Sequence, residues 1–152
     1  MALEIELVSV ERGPVAVIRD HIPLEEVGDR LVPIFDRVYA VLPAAGIETG
    51  GRNLLIMRDG LDGYLDVEVG VQVAASFGGF GDLVPSSTPG GEAATAVHWG
   101  EYDRLPAVHQ AMIQWCDDNG QARTGIRWEI YGHWEDDPAE RRTDVFWQLE
   151  PS

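Results

Sequence analysis

The segment Leu65-Asp-Val-Glu-Val-Gly-Val-Gln-Val73 has a large apolar side chain at every second position. A period of two predicts a β-strand with one buried face. Toward the N-terminus, Asn53-Leu-Leu-Ile-Met57 predicts another strand, residues 23–46 a helical region, and Val15-Ala-Val-Ile-Arg19 a short first strand. The first half of the chain therefore follows the order strand, helix, strand, strand.

The second half repeats this order at a spacing of about 80 residues. Ala94-Thr-Ala-Val-His98 predicts a strand, which is followed by residues 101–106 and a helix that ends at Gly120, and residues 127–131 and 143–149 predict two more strands. Units of this size bury only a marginal core alone, which favours two units side by side. We therefore expect an α+β fold of tandem β-α-β-β repeats with pseudo-twofold symmetry. It would have an antiparallel-rich sheet, helices on one face and a central ligand cleft on the other. A single domain would span residues 1–152, with repeats at about 3–75 and 80–150.

Both helices are indicated by apolar side chains at steps of three and four residues. The second helix has Pro106 in its first turn, Gly120 after its end, and Cys116 on its apolar face, where we expect a buried thiol. The first contains Pro33, which removes a helical hydrogen bond, so we expect a kink or break there. Residues 85–91 (PSSTPGG), between the halves, predict a loop.

The composition excludes several classes of protein. Lys and Arg number 11 against 26 Asp and Glu, a formal net charge of −15 that argues against direct nucleic-acid binding. No apolar run reaches the roughly 20 residues of a membrane span, and residues 1–12 lack the features of a secretory signal. A single cysteine permits no internal disulfide, which fits a cytoplasmic location. The four histidines lack metal-ligand spacing, so we expect neither metal nor other cofactor.

Strand alternation also selects candidate ligand-binding residues. If the aliphatic sides of the last two strands pack on the helices, the opposite, cleft side presents these residues of the second half: Glu129, Tyr131, Asp144 and Phe146. Glu68 is the expected counterpart in the first half, and Trp99 and Tyr39 are expected at the rim. Three other tryptophans are assigned to the core: Trp128, Trp134 and Trp147. Carboxylates interleaved with aromatic rings suit a hydrophobic or cationic aromatic small molecule.

Several phrases resemble the GyrI-like small-molecule-binding domain, the effector-binding module also found fused to AraC-type and MerR-type DNA-binding domains. They are residues 24–28 (LEEVG), Trp128-Glu-Ile-Tyr131 followed by Asp136-Asp-Pro138, and residues 142–149 (RTDVFWQL). The resemblance covers about residues 3–150 and implies the tandem β-α-β-β (SHS2) fold. It also implies a central cleft for hydrophobic, often cationic, drugs, with a glutamate at its bottom that corresponds to Glu129. No helix-turn-helix pattern precedes it, so we expect a stand-alone binder.

The sequence leaves three classes of function open. The first is a protein that senses or sequesters hydrophobic small molecules. The second, implied by stand-alone relatives, is a hydrolase that adds water to cyclopropane-bearing alkylating natural products. Glu129 would then be the general base, and Tyr131 would hydrogen-bond the developing oxyanion. The third is an inhibitor that binds a protein partner such as gyrase through its acidic surface.

Overall fold

The structure is a computed structural model that describes residues 3–47 and 49–151. Its strands and α-helices are, in chain order, β1 (Ile5–Val10), β2 (Pro14–Pro23), α1 (Val27–Val41), β3 (Thr49–Asp59), β4 (Tyr64–Val73), β5 (Leu83–Ser87), β6 (Gly91–Trp99), α2 (Leu105–Asp118), β7 (Arg123–Tyr131) and β8 (Arg142–Leu149). Short 3-10 helices cover Leu24–Glu26, Tyr102–Arg104 and Pro138–Glu140. None of the helices in these residues is long and apolar enough to cross a membrane.

The chain divides into two compact units. We call residues 12–88 the first-half unit, and residues 3–11 together with 89–151 the second-half unit. Their strand orders are β5-β2-β4-β3 and β1-β6-β8-β7, and all pairings within them are antiparallel. Eight antiparallel strands and two helices confirm the predicted α+β fold. The predicted repeat boundaries differ from those of the units, because β1 groups with the second half and β5 with the first.

Two local predictions are wrong. Residues 85–87, which were predicted as part of a loop over 85–91, belong to β5, and Pro85 lies opposite Ala16 of β2. Proline is tolerated in a strand that pairs along one side, because its missing N–H then interrupts no second ladder. In the first helix, Pro33 lies inside α1, which continues to Val41, so the prediction of a break at Pro33 is wrong. The lost hydrogen bond is offset by burial of the apolar stripe on the same helix, which includes Ile34 and Val38.

The core of the second-half unit lies between α2 and one face of its strands. Its buried residues are Ala94, Ala96, Leu105, Val108, Met112, Cys116, Val145, Trp147 and Leu149. The strand residues alternate with exposed or half-buried ones, as one buried face requires. Cys116 is a free, buried cysteine, as predicted.

The two halves can be aligned through their helices. α1 begins at residue 27 and α2 at residue 105, a difference of 78, and each follows a 3-10 helix of 3 residues. The same offset takes Leu31 to His109.

The strands that follow the helices can be aligned as well. Both contain an irregularity, after which regular pairing resumes at Asn53 opposite Val71 and at Arg127 opposite Trp147. Counting from these pairs, Val71 corresponds to Trp147, and the β3 residues Leu55 and Met57 correspond to two residues of β7: Glu129 and Tyr131.

Candidate functional site

Glu129 lies on β7 with its side chain on the face covered by α2. It pairs with Val145 of β8, and Tyr131 pairs with Thr143. Val145 belongs to the core beneath α2, and residues directly opposite in an antiparallel pair share a face. The prediction that Glu129 and Tyr131 lie opposite the helices is therefore wrong. The pairing register places the polar residues of β7 and the apolar residues of β8 on the same face. The sequence of either strand by itself does not contain this information.

The carboxylate of Glu129 is buried and accepts a hydrogen bond at each oxygen. The whole residue is 5% exposed. Tyr131 Oη donates to Oε1 at 2.5 Å, and His109 Nε2 lies 2.6 Å from Oε2. A buried carboxylate needs donors of this kind, because removal from water without them would cost several kcal/mol.

The proton position on His109 follows from its other neighbour. Trp147 Nε1 lies 3.0 Å from His109 Nδ1, and an indole nitrogen is only a donor. Nδ1 must therefore accept, and the proton of the neutral ring is on Nε2, from which it points to Glu129. The result is a chain of directed hydrogen bonds, Trp147 to His109 to Glu129, with Tyr131 donating from the other side. We call these four residues the carboxylate cluster.

Tyr131 is held as a neutral donor. Burial raises the pKa of its hydroxyl well above the usual 10.0, and the negative charge of Glu129, together with the hydrogen bond to it, raises it further. Its ring makes an edge contact with Tyr102 at a centroid distance of 5.7 Å. Thr143, opposite Tyr131 on β8, is fully buried, and its Oγ1 has no hydrogen-bond partner within the described residues.

The first-half unit has apolar residues where the second half has the carboxylate cluster. Leu55 replaces Glu129, Met57 replaces Tyr131, Val71 replaces Trp147 and Leu31 replaces His109. Leu55 is 2% exposed and Val71 is fully buried, so these positions form ordinary core. The same fold therefore forms without buried polar groups at these positions, and the cluster is not a requirement of the architecture.

The other predicted cleft residues lie on the opposite face of their units. Phe146 pairs with Trp128 and stacks on it at 4.9 Å, and Asp144 pairs with Ile130 and lies 2.8 Å from Arg142 Nε. The prediction that Asp144 and Phe146 share a face with Glu129 is wrong. Glu129 pairs with Val145, and the neighbours of Val145 on β8 point to the opposite face.

Glu68 is not the counterpart of Glu129. Counted from the first regular pair, it corresponds to Asp144, on the strand next to the one that carries the position of Glu129. It is buried and accepts hydrogen bonds from Arg58 Nη1 at 2.6 Å and from Ser86 Oγ. Arg19 Nε lies 3.6 Å away. These contacts describe a carboxylate satisfied inside its own unit.

The two predicted rim residues and one predicted core residue are exposed. Trp99 is 59% exposed beneath the guanidinium of Arg142, and Tyr39 donates a hydrogen bond to Asn53 Oδ1. Trp134, assigned to the core, is 63% exposed because β7 ends at Tyr131, and its ring lies 3.8 Å from Arg141 Cζ. Trp128 and Trp147 are buried as predicted.

The sequence patterns did not indicate that His109 contacts Glu129 or that the indole N–H of Trp147 makes a hydrogen bond. His109 has no metal-ligand partner in sequence, and Trp147 has the pattern of a core residue. The available signal was the repeat itself, because aligning the halves places this histidine over a leucine and this tryptophan over a valine.

A family model for the GyrI-like small molecule binding domain matches residues 3–150. The chain belongs to the GyrI-like family. The predicted resemblance is thereby confirmed, and the chain is a small-molecule-binding domain of the type that serves regulators as effector-binding module. No curated protein matches the chain by sequence.

Solved structures agree with the GyrI-like fold. The crystal structure of the EcmrR C-terminal domain is 23% identical with a TM-score of 0.81, and the match covers 100% of each chain. In a cryo-EM structure of an EcmrR–DNA complex, the match covers 58% of the EcmrR chain. SAV2435 bound to tetraphenylphosphonium is 10% identical over 99% of this chain and 94% of that one, with a TM-score of 0.64. A hydrolase from Listeria innocua is 13% identical over 97% and 92%, with a TM-score of 0.62.

Proposed function

We propose that this GyrI-like chain binds small hydrophobic cations, with the Glu129 carboxylate as their counter-ion. One observation carries the proposal: a buried carboxylate occupies a position at which the other half of the fold has Leu55. Its two hydrogen-bond donors, His109 and Tyr131, are neutral. They keep the carboxylate ordered without adding positive charge of their own. The tetraphenylphosphonium bound to the structural neighbour SAV2435 supports a lipophilic cation as the ligand class.

The charge of Glu129 should contribute more to the free energy of cation binding than contact with an aromatic ring. A carboxylate about 4 Å from a cation contributes on the order of 4 kcal/mol at an effective dielectric constant of 20. A ring beside the same cation contributes about 0.5–2 kcal/mol. Tyr102 and Tyr131 offer such rings next to the carboxylate. Replacing the charge should therefore weaken binding more than replacing any one ring.

Tetraphenylphosphonium binding, followed by tryptophan fluorescence and calorimetry, tests the proposal. Triphenylphosphine oxide is the uncharged control ligand. We expect Glu129→Gln to weaken tetraphenylphosphonium binding at least about tenfold, or about 1.4 kcal/mol. Glu6→Gln is the matched control, because it removes one exposed carboxylate of the same unit and should leave binding unchanged. Equal affinity of Glu129→Gln and wild type, or no saturable binding by wild type, would contradict the proposal.

A second candidate is hydrolysis at the same carboxylate. The fixed hydrogen bonds of Glu129 and the protonated Tyr131 are the parts that a general base and a hydrogen-bond donor require. Structural neighbours described as hydrolases support this alternative. Water would attack a ring carbon of a cyclopropane that is conjugated with a carbonyl group of the substrate, and Glu129 would take the proton of the water. The electrons of the broken C–C bond would move to that carbonyl oxygen, which would face Tyr131 as an enolate-type oxygen, and the proton held by Glu129 would then return to the product. Mass spectrometry after incubation with such a substrate should detect addition of one water, and Glu129→Gln should abolish it.

We also propose that binding occurs in the cytoplasm and without direct nucleic-acid contact by these residues. The free buried Cys116 and the net charge of −15 support these two points. A filter-binding titration with duplex DNA at low salt tests the second. Saturable micromolar binding would contradict it.

A further inference from the structure

We infer that His109 is a positioning residue for the Glu129 carboxylate and that Trp147 fixes the tautomer which allows it to act. The inference deepens the proposed function and rests on Glu129 as the group that meets the ligand. His109 and Trp147 would act through Glu129 without needing to touch the ligand themselves.

The tautomer follows from the donors and acceptors on each side of the ring. The indole N–H can only donate, so it bonds to an unprotonated His109 Nδ1. The proton then lies on Nε2, 2.6 Å from Glu129 Oε2, where a donor is required. In the other tautomer an N–H would point at the indole N–H, and a lone pair would point at the carboxylate. Both hydrogen bonds would be lost together.

Trp147 is held firmly enough to impose this choice. The residue is 5% exposed, and Arg127 lies opposite it in the β7–β8 ladder. The guanidinium carbons of Arg123 and Arg127 lie 5.4 Å and 5.1 Å from its ring centroid. A large buried ring has few rotamers open to it, so the direction of its N–H is set by packing. His109 is anchored separately on α2, with its side chain 14% exposed.

The consequence for Glu129 is preorganisation. With one oxygen bound to His109 and the other to Tyr131, the carboxylate plane is set before a ligand arrives. A ligand then meets an ordered charge instead of ordering a flexible one, which reduces the entropy lost on binding. Because the first-half unit folds with Leu31 and Val71 at the corresponding positions, this arrangement serves the site and not the fold.

The first experiment reads the tautomer without any ligand. Long-range proton–nitrogen NMR correlations of the full chain, labelled with nitrogen-15, distinguish the two neutral imidazole tautomers and the protonated ring. His109→Gln assigns the signals. We expect the Nε2–H form in wild type at pH 7 and loss of that single form in Trp147→Phe. A wild-type Nδ1–H or protonated ring, or an unchanged spectrum in Trp147→Phe, overturns the role given to Trp147.

The second experiment measures tetraphenylphosphonium affinity in matched variants. His109→Leu copies the first-half residue and removes the donor, and we expect binding about tenfold weaker or more. His109→Gln retains an N–H donor and an acceptor for Trp147, so we expect affinity within about threefold of wild type. Trp147→Phe should fall between them.

The outcomes separate this inference from the proposed function. If wild type fails to bind tetraphenylphosphonium, the proposed function is overturned. If wild type binds and Glu129→Gln does not, but His109→Leu binds as wild type does, only the positioning role of His109 is overturned. Equal losses in His109→Leu and His109→Gln also overturn it, because that result indicates a requirement for the imidazole's shape and not its donor.

Discussion

Rewriting the carboxylate cluster to match the first half of the chain should leave the fold intact and abolish ligand binding. The variant His109→Leu/Glu129→Leu copies the two residues at the corresponding positions, the half-buried Leu31 and the buried Leu55. The His109 side chain is half-buried at 14% exposure and that of Glu129 is buried at 7%, and His109 Nε2 lies 2.6 Å from Glu129 Oε2. The pair is therefore well suited to a double-mutant cycle, because removing either partner leaves the other without its hydrogen bond.

The magnitudes follow from the partners that each change leaves behind. His109→Leu leaves one carboxylate oxygen without its donor, a loss of about 1.5–3 kcal/mol for a hydrogen bond to a charged group. Glu129→Leu removes the acceptor of the hydrogen bonds from His109 and Tyr131, at about 1–3 kcal/mol each. In the double variant, the Trp147 N–H and the Tyr131 hydroxyl lose the hydrogen bonds that they make in the carboxylate cluster. Two buried leucines, worth about 1.5–3 kcal/mol each, offset them.

Urea unfolding of wild type, both single variants and the double variant measures the effect. We expect the double variant to lie within about 1 kcal/mol of wild type and above Glu129→Leu, with a coupling energy of about 1.5–3 kcal/mol. Tetraphenylphosphonium binding should be absent. Strict additivity of the two losses, or a double variant that fails to fold, would refute the reasoning that the cluster is dispensable for the architecture.

Three other predictions follow from particular residues. Because the pKa of Tyr131 is raised in the folded chain, its contribution to the free energy of unfolding should be complete below pH 10 and should be lost as the pH rises above that value. In urea unfolding at several alkaline pH values, the free energy of unfolding of Tyr131→Phe should therefore depend less on pH than that of wild type. Gly70→Ala should destabilise by about 2–3 kcal/mol in thermal unfolding, since its Cβ would lie 1.8 Å from Ala16 O, whereas Gly28→Ala on α1 meets nothing within 4 Å and should stabilise by up to about 1 kcal/mol. Burial raises the pKa of Cys116, so a thiol reagent should label it at pH 7 only as fast as the chain unfolds.

The secondary structure was largely predictable because its signals are local. The alternating valines of β4 and the apolar stripe of α2 are produced by neighbours in sequence, and both elements form where predicted. The failures are equally physical. Pro85 and Pro33 have local properties that oppose a strand and a helix, but pairing along one edge and burial of an apolar stripe outweigh them. Neither strand pairing nor burial against the rest of the unit can be read from the residues next to a proline in sequence.

The candidate site was predicted in part. Glu129 and Tyr131 were selected because they alternate with apolar residues on one strand, and the structure joins them by a hydrogen bond. Asp144 and Phe146 were grouped with them wrongly. Alternation shows which side chains of one strand share a face, but it does not show which side chains of the neighbouring strand lie on that face. The register decides this, because a shift by one residue exchanges the two faces.

The sequence by itself determined the repeated order of elements and the acidic character of the chain, because these are properties of composition and of short-range periodicity. Alternation along the strands offered Glu129 as one of several candidate carboxylates, and the resemblance to the GyrI-like family singled it out. Only the tertiary structure decided what surrounds the Glu129 carboxylate. His109 is 20 residues away and Trp147 is 38 residues from His109, so their meeting depends on the packing of α2 and on the β7–β8 register. Hydrogen-bond direction depends on that geometry, and with it the chemistry of the site.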